Sequence, residues 1–411
     1  MHTWTHGMIA ACLCAWSACA GADADGLDWS LRGLLDLRYL DTGGQAAALN
    51  GGLGKFRYSG ERVLVNQAAL VAQARLNWDW SASVTGKYAY AQDNPIDFSE
   101  ALLQYRPVGD SAWRLSGRFG AFLPPVSLEN SGLAWSSPYT LSNSAINSWI
   151  GEEVKVFGSE LQLNYQFAPG NKIGLFAAGF GNNDTAGVLL AWRGWDLSDY
   201  VAGFGDSYQV PKSVNIAGLF PKQAAQTQPF SEVDNQPGYY VGFNIESSQR
   251  LKLRGMFYDN RGNPSVSRMG QYSWHTRFGN LGLKLQLPWN FELIGESLLG
   301  ETQMGAERGG LFAVDTTFWA ESLLLSWAYR QHRLSVRYDD FGASGHDYLP
   351  QDPTSETGHA VTCNYNFTFA EHHQLNLEFS QIDSQRASRA ELGLTPGQNQ
   401  TLWQIAYRFF F

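Results

Sequence analysis

The sequence predicts an all-β fold: a transmembrane antiparallel β-barrel of 18 strands, with 16 as the alternative count, and a third external loop folded inward. Three features lead there. From Leu27 onward, apolar and polar residues alternate in runs of about ten. The connections between runs are short and long by turns, and outward aromatics crowd beside the short ones. Composition agrees, because only 16% of the 411 residues are charged while 14% are aromatic, so much of the surface is not built for plain water. No segment after residue 20 approaches the roughly 18–20 apolar residues of a membrane helix.

The chain opens on an export signal, expected over residues 1–20, which leaves 21–411 as a single transmembrane barrel domain. Residues 8–16 are its apolar core, and Ala18-Cys19-Ala20 is a small-x-small cleavage site. His2 and His6 supply the only n-region charge, Ala22 and Ala24 are alternative cut sites, and Cys19 leaves a lipoprotein reading open. Cys12, Cys14 and Cys19 fall in the signal, so Cys363 stands alone, with no internal disulfide and no cysteine metal cluster. A net charge of −9 argues against nucleic acid as a partner.

The first run puts Leu27, Trp29, Leu31, Leu35, Leu37 and Tyr39 on one face and Asp28, Ser30, Arg32, Asp36 and Arg38 on the other. The second sets Leu70, Ala72, Ala74, Leu76 and Trp78 against Gln67, Gln73, Arg75, Asn77 and Asp79. Like runs follow at 84–90, 101–105, 113–121, 161–167, 173–181 and 188–192. The second half continues with 239–245, 251–257, 281–287, 291–299, 318–329, 334–338, 362–369, 375–379 and 401–411. These make seventeen, and a bacterial barrel needs an even number, because both its ends face the periplasm. The missing strand is placed at 200–209, where the chain must climb again; sixteen follows instead if two weak runs are loop. Glu321 shares parity with Trp319 and Leu323, which marks a bulge, a subunit contact or a misplaced register.

Short turns fall near Trp80-Ser81, 107–111, 168–171, 247–249, Pro288-Trp289, Gln331-His332 and 371–373. Longer polar stretches alternate with them at 41–63, 123–153, 205–236, 260–275, 300–315, 342–357 and 385–399; two external connections, near 93–97 and 182–185, are short. Trp78, Trp80, Tyr105, Trp113, Tyr165, Phe167, Trp192, Trp289, Phe291, Trp327, Tyr329, Tyr407, Phe409 and Phe411 cluster beside the short turns. An aromatic ring settles at the headgroup level, so these residues read as the periplasmic girdle.

If one face meets lipid, the other lines the interior. That face carries Arg32, Arg38, Arg75, Lys87, Arg106, Arg114, Arg118, Arg254, Lys284 and Arg337, against acids that include Asp36, Glu160, Glu292, Glu296, Asp339 and Glu378. The wall is mildly cationic, and the surplus negative charge is expected in external loops, at Glu129, Asp206, Glu232 and Asp234 among others. Inward arginines and lysines either favour anions through a pore or brace the wall by pairing with acids. The 123–153 stretch is the most function-like piece, with Pro124-Pro125, Glu129, Trp135, Tyr139, Trp149, Glu152 and Glu153, and Lys155 just beyond. It is too apolar to stand in water and is expected to fold inward as the constriction. Enzyme signatures are missing: no Gly-x-Ser-x-Gly, no His-Glu-x-x-His and no P-loop. Neither a cofactor nor a metal is expected, and no catalytic residue is assigned.

The stretch Gly117-Arg118-Phe119-Gly120-Ala121-Phe122-Leu123-Pro124, followed by Ser127-Leu128-Glu129, resembles the phosphate-selective porin O and P family. The resemblance covers about a tenth of the chain and places the long loop after five strands, as here. It implies a homotrimer of sixteen-stranded outer-membrane barrels that pass anions through a basic constriction. This chain departs from the pattern at Gly120, where a lysine is usual, and at Glu152 and Glu153, which add negative charge. The ending Tyr407-Arg408-Phe409-Phe410-Phe411 is similar to the signal read by the barrel-assembly machinery. Residues and resemblance together point to a passive channel for small hydrophilic solutes, neutral or anionic, embedded in outer-membrane lipid. The rival readings are a barrel-embedded hydrolase and a structural or adhesive barrel without a through-pore.

Overall fold

A computed structural model describes residues 28–411 apart from 44–47, 49–50, 91, 93, 212–217, 249 and 350–352. The expected signal, residues 1–20, lies outside the described residues. Sixteen antiparallel strands close on themselves. In chain order they are β1 (Asp28–Thr42), β2 (Gly60–Arg75), β3 (Trp80–Ala89), β4 (Ile96–Tyr105), β5 (Trp113–Phe122), β6 (Val156–Ala168), β7 (Asn171–Gly181) and β8 (Gly238–Ser247). The series goes on with β9 (Leu251–Asp259), β10 (His275–Leu287), β11 (Phe291–Met304), β12 (Val314–Tyr329), β13 (His332–Gly345), β14 (Glu356–Phe369), β15 (His373–Arg386) and β16 (Gly397–Phe410). Closure removes every sheet edge, as backbone polar groups in hydrocarbon require. The seam is β1 against β16, where the amides and carbonyls of Gly33 and Phe411 exchange hydrogen bonds of 2.9 and 3.1 Å. The Phe411 ring lies over Gly33, at a spot that a Cβ would fill.

The count is therefore sixteen, the alternative, and not eighteen. Both surplus strands fall in one place. Residues 188–192 form the helix α2 (Val188–Trp192), and 200–209 contains only Tyr208–Gln209, paired with Gln226–Thr227 in a two-stranded ladder apart from the barrel. The supposed short connection at 182–185 is the start of one long loop, 182–237, between β7 and β8. Val188, Leu189, Leu190, Ala191 and Trp192 are apolar on all sides because all are buried inside the barrel. A short, wholly apolar run does not distinguish a buried helix from a strand by its period.

Outward side chains form the lipid belt: Leu115, Leu161, Leu175, Leu281, Leu299, Leu323 and Ile405 are all exposed. Near the short turns, ring pairs tie neighbouring strands into the girdle, as in Trp80 with Tyr105 at 5.0 Å and Trp113 with Tyr165 at 4.7 Å. Left-handed φ at Trp289, Asn290, Ala370 and Glu371 shapes two of the tight turns, matching the twist of the hairpins they close. Glu321 faces outward in an unbroken register, opposite Ser297 on β11 and Asp340 on β13, so neither a bulge nor a misplaced register explains it.

Three register shifts do occur: one lies beside the short β6–β7 turn, at Gln166 and Ala168, and the other two face the interior. The extra residue opposite Asp36 and Leu37 is Asn66, and the one opposite Thr85 and Gly86 is Ser99. Each bulge turns an additional polar side chain inward. The interior is itself a hydrophobic core in its external half: Phe176, Phe180, Tyr240, Tyr258, Phe278, Phe318 and Phe341 from the wall pack with Trp149 and Trp195 from the loops.

Candidate functional site

Three external loops, 43–59, 123–155 and 182–237, carry buried residues into the barrel, so the site is built where they meet the wall. Gly120, two residues before the end of β5, has a φ of +135°, and a Cβ there would come within 2.0 Å of the Ala101 carbonyl, so only glycine fits. The residue type at which this chain departs from the porin resemblance is thus set by backbone geometry. The 123–155 loop contains α1 (Ala145–Glu153), capped by Ser144, whose hydroxyl accepts from the Asn147 amide at 3.2 Å.

Inward wall residues hold this loop along its length. Glu296 on β11 accepts from the Leu128 amide at 2.6 Å and the Asn147 side chain at 2.7 Å. Glu378 on β15 accepts from the amides of Leu141 and Ser142 at 2.5 and 3.0 Å. Tyr139 donates to Glu292 at 2.6 Å, and Lys284 donates to the Tyr139 hydroxyl at 2.6 Å. Arg337 on β13 donates to Glu129 at 2.6 Å, Asp339 at 2.8 Å, Thr140 at 3.0 Å and the carbonyls of Ser142 and Asn143 at 2.7 and 2.8 Å. Arg254 reaches the Pro125 carbonyl at 3.2 Å.

The 182–237 loop is joined to α1. Glu153 accepts from the Leu189 amide at 2.8 Å and from Trp149 Nε1 at 2.7 Å, so a carboxylate sits on the first turn of α2. Burial pushes Glu153 up to about 7 against those hydrogen bonds, and pushes Asp196 up to about 7 against Arg193. Arg193 pairs with Glu152 at 2.5 Å and Asp196 at 3.2 Å. Further on, Asp199 meets Arg38, Arg57 and Asn66, and Asp206 meets Lys87. The 43–59 loop completes the plug: Lys55 pairs with Glu356 of β14 and donates to the Trp195 carbonyl at 2.8 Å.

Below the plug, toward the short turns, lies a cavity of about 570 Å³. Arg32, Arg106 and Arg118 line it with Glu100, Gln104 and the bulge residue Ser99, under a roof that includes Trp135 and Val201. Arg118 pairs with Glu160 at 3.0 Å. Of the other wall cations, Arg38 and Arg337 are sealed in by the loops, Lys87 is nearly so, and Arg75 pairs with Asp28 at 3.1 Å on the exposed rim. Arg114 is exposed at the start of β5. In the loop, Glu129, Tyr139, Glu152, Glu153 and Lys155 are buried and Trp135 is half-buried. Among the described residues the Lys155 ammonium makes no hydrogen bond, and burial, then Lys87, lowers it to about 7.

Glu129 and Asp206 belong to external loops, as expected of the surplus negative charge, but the loops carry them into the lumen, onto Arg337 and Lys87. Buried cations need counter-charges, and the loops bring them. Sequence reasoning missed Lys55, Arg57, Asn66, Asp196, Asp199 and Glu356. The signal within reach was the excess of wall cations, which implied loop acids folded onto them.

No family model matches the sequence, and no curated protein matches it. Among solved structures, the outer membrane channel DcaP of Acinetobacter baumannii is similar at a TM-score of 0.60 and 11% identity, over 95% of this chain and 100% of that one. The anion-selective porin from Comamonas acidovorans is similar at 0.53 and 12%, over 94% and 100%. A loop-deletion mutant of OmpT, an outer membrane protein of Vibrio cholerae, is similar at 0.55 and 9%, over 94% and 100%. At such identities the likeness speaks for the fold, and the fold is that of porins of the bacterial outer membrane.

Proposed function

We propose that this chain is an outer-membrane porin for passive diffusion of small hydrophilic solutes, with a lean toward anions, and that its loops hold it shut in this conformation. The observation that carries the reading is the vestibule of about 570 Å³, where Arg32, Arg106 and Arg118 outnumber Glu100. A ring of cations lowers the energy of an entering anion, most of all where low-dielectric walls focus the field. The resemblance to the phosphate-selective porin O and P family over residues 117–129 supports the same lean. Membership of that family is the finer part of the reading, and so is a homotrimer, a form in which one similar OmpT structure is described. The chain is read as carrying no catalytic residue, cofactor or metal; export through residues 1–20 and assembly through the last strand complete the proposal.

A second reading has its own support. The hydrophobic core in the external half of the barrel is packed like that of a soluble protein, which favours a structural barrel without a through-path. Conductance in planar bilayers separates the two. Pure folded protein that gives no current, even when residues 186–232 are replaced by a short linker, sinks the channel. In a KCl gradient, the reversal potential is expected to show anion preference; a cation preference refutes the lean.

A further inference from the structure

The segment 199–206 has a place unlike the rest of the plug. Val201 roofs the vestibule and also lines a small void above it, shared with Lys87 and Tyr200. The segment therefore lies across the passage between the vestibule and the upper part of the β1–β4 wall. Its hold on the external rim is light: Phe204 donates to the Phe98 carbonyl at 2.9 Å, Gly205 to Asp97 at 2.8 Å, and Asn94 to the Gly205 carbonyl at 2.7 Å.

Its hold on the wall is ionic, through both oxygens of Asp199 and one oxygen of Asp206. One Asp199 oxygen accepts from Arg57 at 2.9 Å; the other accepts from Asn66 at 2.6 Å and pairs with the Arg38 guanidinium at 2.9 Å. Arg38 is on β1, Asn66 is the bulge residue of β2, and Arg57 comes from the 43–59 loop. Burial alone raises a carboxyl, yet the two guanidinium groups hold Asp199 well below the usual carboxylate range. Asp206 accepts from Lys87 on β3 and from the Gly203 amide, both at 2.5 Å, and from the Tyr200 hydroxyl. Two guanidinium groups and an amide around one carboxylate, with an ammonium for a second, make a receptor for carboxylates as a class. The register shift turns Asn66 inward, and among the described residues its side-chain hydrogen bonds are to Asp199 and to Arg57, the latter at 3.5 Å.

We propose that Arg38, Arg57, Asn66 and Lys87 form a carboxylate-binding site on the permeation route, and that the 199–206 segment is a built-in competitor that fills it with Asp199 and Asp206. The site takes small solutes bearing one or two carboxylates. A solute that displaces the segment lifts the Val201 roof, and the vestibule arginines then run on without a break to Lys87, Arg57 and Arg38. This deepens the channel reading and rests on it for the word "route"; the binding itself does not.

The test is calorimetric titration of succinate into the refolded full chain in detergent micelles, at constant ionic strength, with heat-modifiable migration on gels as the check of folding. The wild type is expected to show no saturable heat at millimolar succinate. The Asp199→Ala/Asp206→Ala double variant is expected to bind saturably, and adding Arg57→Gln is expected to weaken that binding at least tenfold. Arg57 lies in a loop, so its replacement leaves the strands intact. A folded double variant that does not bind, or binds as well with Arg57→Gln, overturns the site. Should the double variant not fold, Asp206→Ala alone serves, and equal succinate heats in it and in the wild type overturn the site. Saturable binding with silent bilayers keeps the site and sinks the channel; current without binding does the reverse.

Discussion

Replacing Arg337 tests whether the loops are held by the wall's charges or only by apolar packing. In the Arg337→Met variant the methylene stem persists while five hydrogen bonds vanish, from Glu129, Asp339, Thr140, Ser142 and Asn143. Glu129 keeps Asn147 at 2.9 Å, Thr140 at 3.1 Å and the Ser144 amide at 3.2 Å; Asp339 keeps only the Ala145 amide at 3.2 Å. Two acids are left in the interior without their cation, and breaking a buried pair in this way costs about 3–5 kcal/mol. At about 1.4 kcal/mol per factor of ten, the undocked loop should gain roughly two to three and a half orders of magnitude in population. Hydrogen exchange reads this locally, because the amides of Leu141, Ser142, Ser144 and Ala145 donate to Glu378, Glu129 and Asp339. Exchange at 141–145 should accelerate by at least about a hundredfold. The ladder of β13 with β12 and β14 should stay protected, since its bonds are between main chains. Unchanged protection at 141–145 in a folded variant would falsify the claim that charge anchors the loop.

Three further outcomes follow from the same geometry. Gly120→Ala should lower the temperature of heat modification and weaken the barrel by about 1–3 kcal/mol or more from its backbone region alone, while Gly179→Ala, with nothing within 4 Å of its Cβ, should be neutral; equal midpoints would refute the steric account. Glu153 and Asp196, both lifted to about 7, bind protons more tightly folded than unfolded, so their contribution is whole at low pH and is lost as pH rises to about 7. Exchange of the Leu189 and Leu190 amides, corrected for intrinsic rate, should therefore show looser docking at pH 8 than at pH 5, whereas Asp199, shifted the other way, adds no change in that window. Arg32→Gln with Arg106→Gln should move the reversal potential toward cations, and no movement would remove the vestibule from the account of selectivity.

The barrel was legible because lipid imposes a rule on every second residue. Leu115, Leu161 and Leu299 face outward where alternation puts them, and the even count followed from the two ends sharing a side. The error in number came from one stretch to which that rule did not apply. Inside a plugged barrel a loop can be as apolar as a strand, since its surroundings are Phe278, Phe318 and Trp149 instead of water. The runs at 188–192 and 200–209 had the composition of strands for that reason, and their true shape depended on partners far along the chain, such as Trp274 against Trp192.

The site was legible only by halves, for a reason that can be stated in charges. Parity identified the wall cations Arg38, Lys87 and Arg337, because a strand's own period says which side it faces. No period tells where a loop carboxylate lies, so Asp206 was placed only in an external loop, Glu129 only within the inward-folding stretch, and Asp199 in no site at all. Yet the wall's excess of positive charge was visible, and a closed barrel of low-dielectric walls cannot leave several guanidinium groups without counter-ions. Either dissolved anions enter to meet them or the chain supplies carboxylates of its own. Asp199 on Arg38 and Arg57, Asp206 on Lys87 and Glu129 on Arg337 are the second answer, and each stands where the first would have stood. The charges that shut the lumen therefore mark the places that a passing anion would use.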